Sequence, residues 1–221
     1  MVAQASAKAK TNDWNERESK RAENTWGHKR PQYTLDMFEF LHSNTESFLD
    51  LGCGFGRFLE YLKEVREEPN YVGYDSSLSM TSRIIERFPE YILQVFHREL
   101  TQPITHSQSG VLISAVLIHL HTKDQETILN NVLSTKPKAL TFDINCPGEG
   151  EIDRLKIKQT DHYERLIKTT KDGLVNFRMT WQSHHEMTRK IITMFPNYNL
   201  TIKFYTIRAN QKKVVYFLEV K

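Results

Sequence analysis

The sequence predicts an α/β fold in which a mostly parallel sheet is covered by helices on both faces. Between Ser47 and Ile144, apolar strand patterns alternate with amphipathic helix patterns, as in sheets built from βαβ units. The predicted strands are SFLDL, YVGYD, YILQVF, GVLISAVLI and KALTFDI, and their nearly continuous apolar character is typical of parallel strands. Two β-rich runs at the C-terminus, LTIKFYTIR and KKVVYFLEVK, predict an antiparallel hairpin.

Helical periodicity accompanies these strands. Thr34 is placed to cap a helix over LDMFEFL, and Ser76 or Ser77 is placed to cap another over LSMTSRIIERF. RFLEYLKEVREE and TKDQETILNNVLSTK fill the intervals after the first and fourth strands. Ser183 followed by Glu186 has the spacing of a capping box, which predicts a last helix through Met194.

Composition indicates one domain with some elaboration. The chain has 221 residues, of which 39% are hydrophobic and 26% charged, enough for a single buried core. We expect residues 1–11 to be a mobile tail and residues 12–221 a single domain with an N-terminal arm over 12–33. Residues 146–182 form an inserted segment, in which HYERLIKTT and LVNFRMTW flank a Lys-Asp-Gly turn and predict a β-hairpin that serves as a lid.

Charge and cysteine content indicate which partners and which cellular compartment to expect. The formal charge of +3 comes from interspersed acids and bases, which indicates no particular nucleic-acid partner. Cys53 and Cys146 lie far apart and form no Cys-x-x-Cys pair, so a reducing compartment is expected. The N-terminus lacks the apolar core of a signal peptide, and no run of about 18 apolar residues occurs. We therefore expect a cytoplasmic protein with no membrane partner.

The most informative stretch is FLDLGCGFGRFLEYL, which contains Gly52, Gly54 and Gly56 between a strand and a helix. A dinucleotide fingerprint would require a small residue at the position of Arg57, and a P-loop would require a following Gly-Lys-Ser/Thr. Neither pattern is present. The glycines allow a sharp turn and a close backbone approach to a ligand.

The order DLGCGFGR and then YVGYD resembles the class I S-adenosylmethionine-dependent methyltransferases. Asp50 and the three glycines match the first motif of that family, and Asp75 matches the acid of the second. The resemblance covers residues 46–145 and the terminal hairpin, but Gly110 stands where the family usually has an acid. It implies a seven-stranded Rossmann-like sheet, S-adenosylmethionine as the cofactor and S-adenosylhomocysteine as the product.

The same resemblance implies a set of cofactor contacts. Asp75 would accept hydrogen bonds from the ribose hydroxyls, and His97 or Glu99 would lie near the adenine. Asp75 could instead serve only as a helix cap, and His97 and Glu99 could belong to an exposed polar loop. The full expected set is Trp26, Asp50, Gly52, Cys53, Gly54, Gly56, Asp75, Ser76, His97, Glu99 and Ser114.

Catalytic candidates cluster around the ends of the fourth and fifth strands. His119 and Asp143 fall where the family places residues close to the acceptor, and histidine has a suitable pKa for a base near neutrality. No metal site is expected, because the His119-x-His121 pair has no third ligand nearby in the sequence.

A small-molecule acceptor, enclosed by the arm and the lid, is the favoured prediction. Methylation of DNA bases is disfavoured, because the fourth strand is not followed by Asp/Asn-Pro-Pro-aromatic and no Pro-Cys pair occupies the nucleophile position of cytosine C5 enzymes. Two alternatives stay open: a protein or RNA acceptor docked on a basic surface, and a non-catalytic binding protein. The basic residues of that surface would be Lys156, Lys158, Arg165, Lys168 and Lys171.

Overall fold

The computed structural model describes residues 20, 24, 30–147, 163–169, 175–181, 183–208 and 211–221. Their helices are α1 (Gln32–Asn44), α2 (Arg57–Val65), α3 (Leu78–Arg87), α4 (Thr122–Thr135) and α5 (His184–Met194). Their strands are β1 (Ser47–Leu51), β2 (Asn70–Asp75), β3 (Val95–His97), β4 (Gly110–Ile113), β5 (Ala139–Pro147), β6 (Tyr163–Thr169), β7 (Val175–Trp181), β8 (Tyr198–Arg208) and β9 (Gln211–Val220). Short 3₁₀ turns occupy Pro89–Tyr91 and Leu117–His119.

One sheet organises these strands, and it confirms the predicted α/β class. Its main path is β3-β2-β1-β4-β5-β9-β8, in which the first five strands are mutually parallel and β9 and β8 run antiparallel. The strand order reverses between β1 and β4, so the carboxyl ends of these two strands flank the crevice where ligands of such sheets bind.

The predicted inserted hairpin is also present in its backbone. β6 and β7 pair antiparallel from Tyr163↔Trp181 to Thr169↔Val175. Trp181 pairs in turn with Asn145 near the end of β5, and this parallel contact joins the hairpin to the sheet. Apolar and polar residues alternate in sequence from Val175 to Trp181, which predicts two distinct faces of β7, but these side chains lie outside those that the structure describes.

Two apolar layers bury the faces of the sheet. On one face, α1, α2 and α3 cover a layer that includes Phe48, Leu112 and Val215. On the other face, α4 and α5 cover a layer that includes Leu140 and Phe142. Each central strand therefore presents apolar side chains to both layers, which explains why its sequence does not alternate with polar residues.

Local structure differs from the sequence predictions at four places. The third strand begins only at Val95, because Pro89–Tyr91 forms a 3₁₀ turn. The fourth ends at Ile113, where the chain turns through Ala115 at φ 58°. The first helix begins at Gln32 after Pro31, so the prediction that Thr34 caps it is wrong.

The fourth difference concerns α5, which begins at His184 as predicted but without the capping-box bond. The Ser183 hydroxyl accepts no hydrogen bond from the first turn. Ser77 does cap α3, since the Met80 N–H donates to its Oγ at 3.3 Å. The predicted tail over 1–11 and most of the arm over 12–33, including Trp26, lie outside the described residues.

Candidate functional site

The three glycines between β1 and α2 all adopt left-handed backbone conformations. Their φ angles are 81° at Gly52, 54° at Gly54 and 86° at Gly56, and other residues would adopt them only with strain. A Cβ on Gly52 would lie 2.1 Å from Val116, and one on Gly56 would lie 2.7 Å from Ile84. A Cβ on Gly54 would meet no heavy atom within 4 Å. Gly52 and Gly56 are therefore required by packing, whereas Gly54 lies on the open side of the turn.

Asp75, the last residue of β2, holds this glycine turn in place. Its Oδ2 accepts a hydrogen bond from the Gly54 N–H, and its Oδ1 accepts one from the Ser77 N–H, each at 2.8 Å. Burial raises the pKa of Asp75 above its usual value, although the two N–H donors favour the ionised form. Each carboxylate oxygen keeps a further lone pair, so Asp75 can brace the turn and still accept hydrogen bonds from a ligand. A role as a helix cap alone would not explain the hydrogen bond that Asp75 accepts from the Gly54 N–H.

Asp50 lies beneath the turn, in β1, and is only 4% exposed. Its Oδ2 accepts a hydrogen bond from the Tyr71 hydroxyl at 3.0 Å. Burial, with a smaller contribution from the negative charge of Asp75, raises the pKa of Asp50 to about 7, while the Tyr71 bond opposes the rise. A cationic ligand group would favour the charged carboxylate, because an opposite charge nearby lowers the pKa of an acid.

A narrow cavity beside the turn brings several predicted residues together. Its lining includes Asp50, Gly52, Cys53, Arg57 and Ser114. The Ser114 Oγ is buried and has no hydrogen-bond partner in the described part of the chain. Burial raises the pKa of the Cys53 thiol well above its usual value, so Cys53 contributes a neutral group. The cavity thus combines an acid with an unpaired hydroxyl, a set that fits the amino-acid portion of the implied cofactor.

β3 ends directly beside Asp75, since Asp75 pairs in register with His97. The Nε2 of His97 lies 3.0 Å from the Ser76 carbonyl oxygen, and because a carbonyl only accepts, Nε2 must carry the proton. His97 and Ser76 therefore form part of the rim of the site. Glu99 is exposed two residues further on.

Asp143, in the middle of β5, links this strand to the turn after β4 and is completely buried. Its Oδ1 accepts a hydrogen bond from the Ala115 N–H at 2.6 Å, and its Oδ2 is paired with the Lys213 ammonium from β9. Lys213 is itself only 4% exposed and lies 5.5 Å from the centre of the Tyr33 ring. Asp143 thus fixes the left-handed turn after β4, and both of its oxygens are engaged within the protein.

The other catalytic candidate, His119, occupies a different position. It ends the 3₁₀ turn Leu117–His119 and is half-buried. The β7 strand packs beside this turn, so the inserted hairpin and His119 lie next to each other. Nine of the predicted cofactor contacts gather at one edge of the sheet: Asp50, Gly52, Cys53, Gly54, Gly56, Asp75, Ser76, His97 and Ser114.

Three polar residues of this region were not anticipated from the sequence. Tyr71 lies four residues before Asp75 in the same strand, Asn145 lies two residues after Asp143, and Lys213 precedes the apolar run VVYFL. The period-two spacing from Asp143 to Asn145 was a usable signal. The pairing of Lys213 with Asp143 depends on the register of β9 against β5 and has no local signature.

Comparison with known proteins shows which domain and which fold the chain resembles. Residues 49–135 match the family model described as a methyltransferase domain, while a search of curated proteins gives no match. The magnesium protoporphyrin IX methyltransferase of Synechocystis PCC 6803, solved with S-adenosylhomocysteine, superposes with a TM-score of 0.64 at 16% identity, over 93% of this chain and 96% of that one.

Two further structures extend the comparison. The 1,6-didemethyltoxoflavin-N1-methyltransferase of Burkholderia thailandensis gives a TM-score of 0.62 at 14% identity, over 93% of this chain and 84% of that one. An S-adenosylmethionine-dependent methyltransferase from Clostridium acetobutylicum gives 0.60 at 12% identity, over 92% and 98%. At these identities the likeness establishes the fold. Residues 49–135 thus match a methyltransferase domain, and the chain shares its fold with the S-adenosylmethionine-dependent methyltransferases named above.

Within the described ranges, no helix is both long and apolar enough to cross a bilayer.

Proposed function

We propose that this enzyme transfers the methyl group of S-adenosylmethionine to a small-molecule acceptor bound beside the carboxyl ends of β4 and β5. The observation that carries the proposal is the position of Asp75. Its carboxylate braces the Gly54 N–H at the crevice where the strand order reverses, and it keeps lone pairs for two ribose hydroxyls.

The cofactor would be held along the edge formed by β1, β2 and β3. Asp75 would bind the ribose, and Ser76 and His97 would border the adenine, with Glu99 further out. Gly54, with open space where its side chain would be, would let the backbone approach the ligand closely. Asp50 would bind the ammonium group of the amino-acid portion, and the unpaired Ser114 hydroxyl would hydrogen-bond to the same portion.

The chemistry that the cofactor supplies is an electrophilic methyl group on a sulfonium. What remains for the protein is to hold the acceptor in line with that methyl and to keep water away, and positioning of this kind can contribute about 7–11 kcal/mol of the barrier. His119, half-buried beside β7, is the candidate to accept a proton from the acceptor. Asp143 would act by position, since it binds the Ala115 N–H and Lys213.

A small acceptor is favoured by two lines of support. The hairpin of β6 and β7 joins the sheet at Asn145 and packs beside the Leu117–His119 turn, so residues 146–182 would form the lid of an acceptor chamber within a single domain over 12–221. In addition, the proteins of Synechocystis and Burkholderia are named for magnesium protoporphyrin IX and 1,6-didemethyltoxoflavin, which are small molecules.

The experiment that tests this proposal is transfer of a labelled methyl group. The purified protein and methyl-labelled S-adenosylmethionine are incubated with a cell extract divided into metabolite, RNA and protein fractions, with the Asp75→Ala variant as the control. Label is expected in the metabolite fraction with wild type only. Label in protein or RNA would support the macromolecular alternative, and no transfer to any fraction would contradict the proposal.

A further inference from the structure

We infer that Asn145 anchors a polar subsite for a neutral, planar group of the methyl acceptor that carries a hydrogen-bond donor and an acceptor side by side, such as a primary carboxamide or a lactam. The inference deepens the proposed function, on which it rests. The observation behind it is a buried side-chain amide near the end of β5 whose polar atoms are both unpaired.

The alternation along β5 sets the direction of this side chain. Leu140, Phe142 and Ile144 belong to the apolar layer that α5 covers. Ala139 lies in the opposite layer, beneath α1, so Asn145 shares its face with Asp143. Asn145 lies two residues before the last residue of β5, at the point where β7 also joins β5.

Asn145 is completely buried, yet neither its Oδ1 nor its Nδ2 has a hydrogen-bond partner among the residues that the structure describes. A buried amide without partners is costly, and such groups are nearly always paired in native proteins. The neighbouring Asp143 shows the contrast, because both of its carboxylate oxygens are bound. Asn145 is therefore better explained as a binding group than as part of the packing.

Three more unpaired hydroxyls lie on this side of the sheet, those of Thr34, Ser114 and, in β5 itself, Thr141. Thr34 is completely buried in the first turn of α1, and its Oγ1 has no partner in the described ranges. The chain passes from α1 directly into the amino end of β1, so the first turn of α1 lies toward the carboxyl ends of the strands. Ser114, which follows β4, contributes the second unpaired hydroxyl. Several unfilled hydrogen-bonding atoms thus lie near the end where the acceptor is proposed to bind.

The charges around Asn145 select a neutral ligand group. Lys213, which pairs in register with Asn145 on β9, has its ammonium matched by the Asp143 carboxylate. The local charge is balanced, so a buried carboxylate or ammonium on the ligand would find no counter-ion. A side-chain amide offers an acceptor and a donor in one plane, and its complement is another group with a donor beside an acceptor.

The test uses benzamide, acetophenone and benzoate as probes, titrated by NMR into the wild-type protein saturated with S-adenosylhomocysteine. Benzamide is expected to bind at least about tenfold more tightly than the other two, since each of these lacks the amide donor or carries a charge. In the Asn145→Leu variant this preference is expected to vanish. In Asn145→Asp, which offers only acceptor oxygens when ionised, the preference is expected to pass to benzamidine.

Stability of the variants without ligand provides the second readout. Because Asn145→Leu removes two unpaired polar atoms, its melting temperature is expected to equal or exceed that of wild type. A lower melting temperature, equal affinity for the three probes, or a benzamide preference that survives in Asn145→Leu would overturn the inference. Binding of S-adenosylhomocysteine is measured in the same samples, so a failure of the cofactor site is distinguishable from a failure of the subsite.

Discussion

Replacement of Asp75 by alanine tests two roles of this residue. The structure shows that Asp75 braces the glycine turn, and we propose that it also binds the ribose. In the free protein, the carboxylate accepts hydrogen bonds from the Gly54 and Ser77 N–H groups. In the complex, we expect the same oxygens to accept hydrogen bonds from two ribose hydroxyls. Asp75→Ala removes all four bonds, whereas Asp75→Asn keeps one acceptor oxygen and nearly the same shape.

The two roles differ in expected magnitude. Asp75 is only half-buried, so water can replace part of the lost bonding, and we expect Asp75→Ala to cost about 2 kcal/mol of stability. For a chain of this length that lowers the melting temperature by about 4–8 °C. Two hydrogen bonds to a charged acceptor contribute about 3–6 kcal/mol to binding, so affinity for S-adenosylhomocysteine should fall by about 10²–10⁴-fold. For Asp75→Asn we expect a loss of about 30-fold.

Thermal melting without ligand measures the first role, and calorimetric titration with S-adenosylhomocysteine measures the second. Both variants are expected to stay folded, with affinities that fall in the order wild type, Asp75→Asn, Asp75→Ala. If Asp75→Ala binds S-adenosylhomocysteine within about threefold of wild type, the ribose role is refuted. If its melting temperature is unchanged, the bracing role is refuted.

Three further predictions concern other residues of the site. Gly54→Ala is expected to lower stability by only about 1 kcal/mol, from the strain of its left-handed backbone, yet to weaken S-adenosylhomocysteine binding. Gly52→Ala is expected to destabilise the protein more, because the added Cβ has no space beside Val116. Thermal melting and calorimetric titration of both variants check this, and equal stability losses would contradict it. Because burial raises the pKa of Asp50 to about 7, the native carboxyl keeps a proton that the unfolded chain loses above pH ~4, so stability should fall by up to about 4 kcal/mol as the pH rises from about 4 to about 7. Denaturant unfolding should show a flatter profile over that range for Asp50→Asn, and identical profiles would argue against the raised pKa. Lys213→Met is expected to cost about 3–5 kcal/mol of folding stability, because it leaves the buried Asp143 charge unpaired. Adding Asp143→Asn should recover part of this loss. A double variant less stable than Lys213→Met would contradict the pairing.

Much of the fold was predictable because its signals are local. The apolar strands and the helices between them follow from short-range patterns, and the turn from Gly52 to Gly56 follows from backbone requirements that only glycine meets easily. Strand ends were less predictable. The fourth strand continues as an apolar pattern beyond Ile113, but the chain turns at Ala115, whose N–H is held by Asp143 from the next strand.

The residues of the site also divide into those predictable from local motifs and those that depend on tertiary contacts. Asp50 and Asp75 were predicted because they belong to motifs read along the chain, and the structure brings them to the same turn. The predicted role of Asp143 as a catalytic group did not take account of Lys213, which lies 70 residues away in sequence. The sequence also could not show that the Asn145 amide is unpaired, because this depends on which groups lie beside it in the folded chain. Tertiary contacts of this kind have no local signature.

Cofactor binding is tested most simply by calorimetric titration of the wild-type protein with S-adenosylmethionine and, in parallel, with adenosine and methionine. We expect one site per chain with a Kd of roughly 1 μM to 1 mM for S-adenosylmethionine. Either fragment should bind more weakly, because each would contact only part of the edge that contains Asp50 and Asp75. Folded protein that gives no binding signal at millimolar S-adenosylmethionine would show that this edge of the sheet is not a cofactor site.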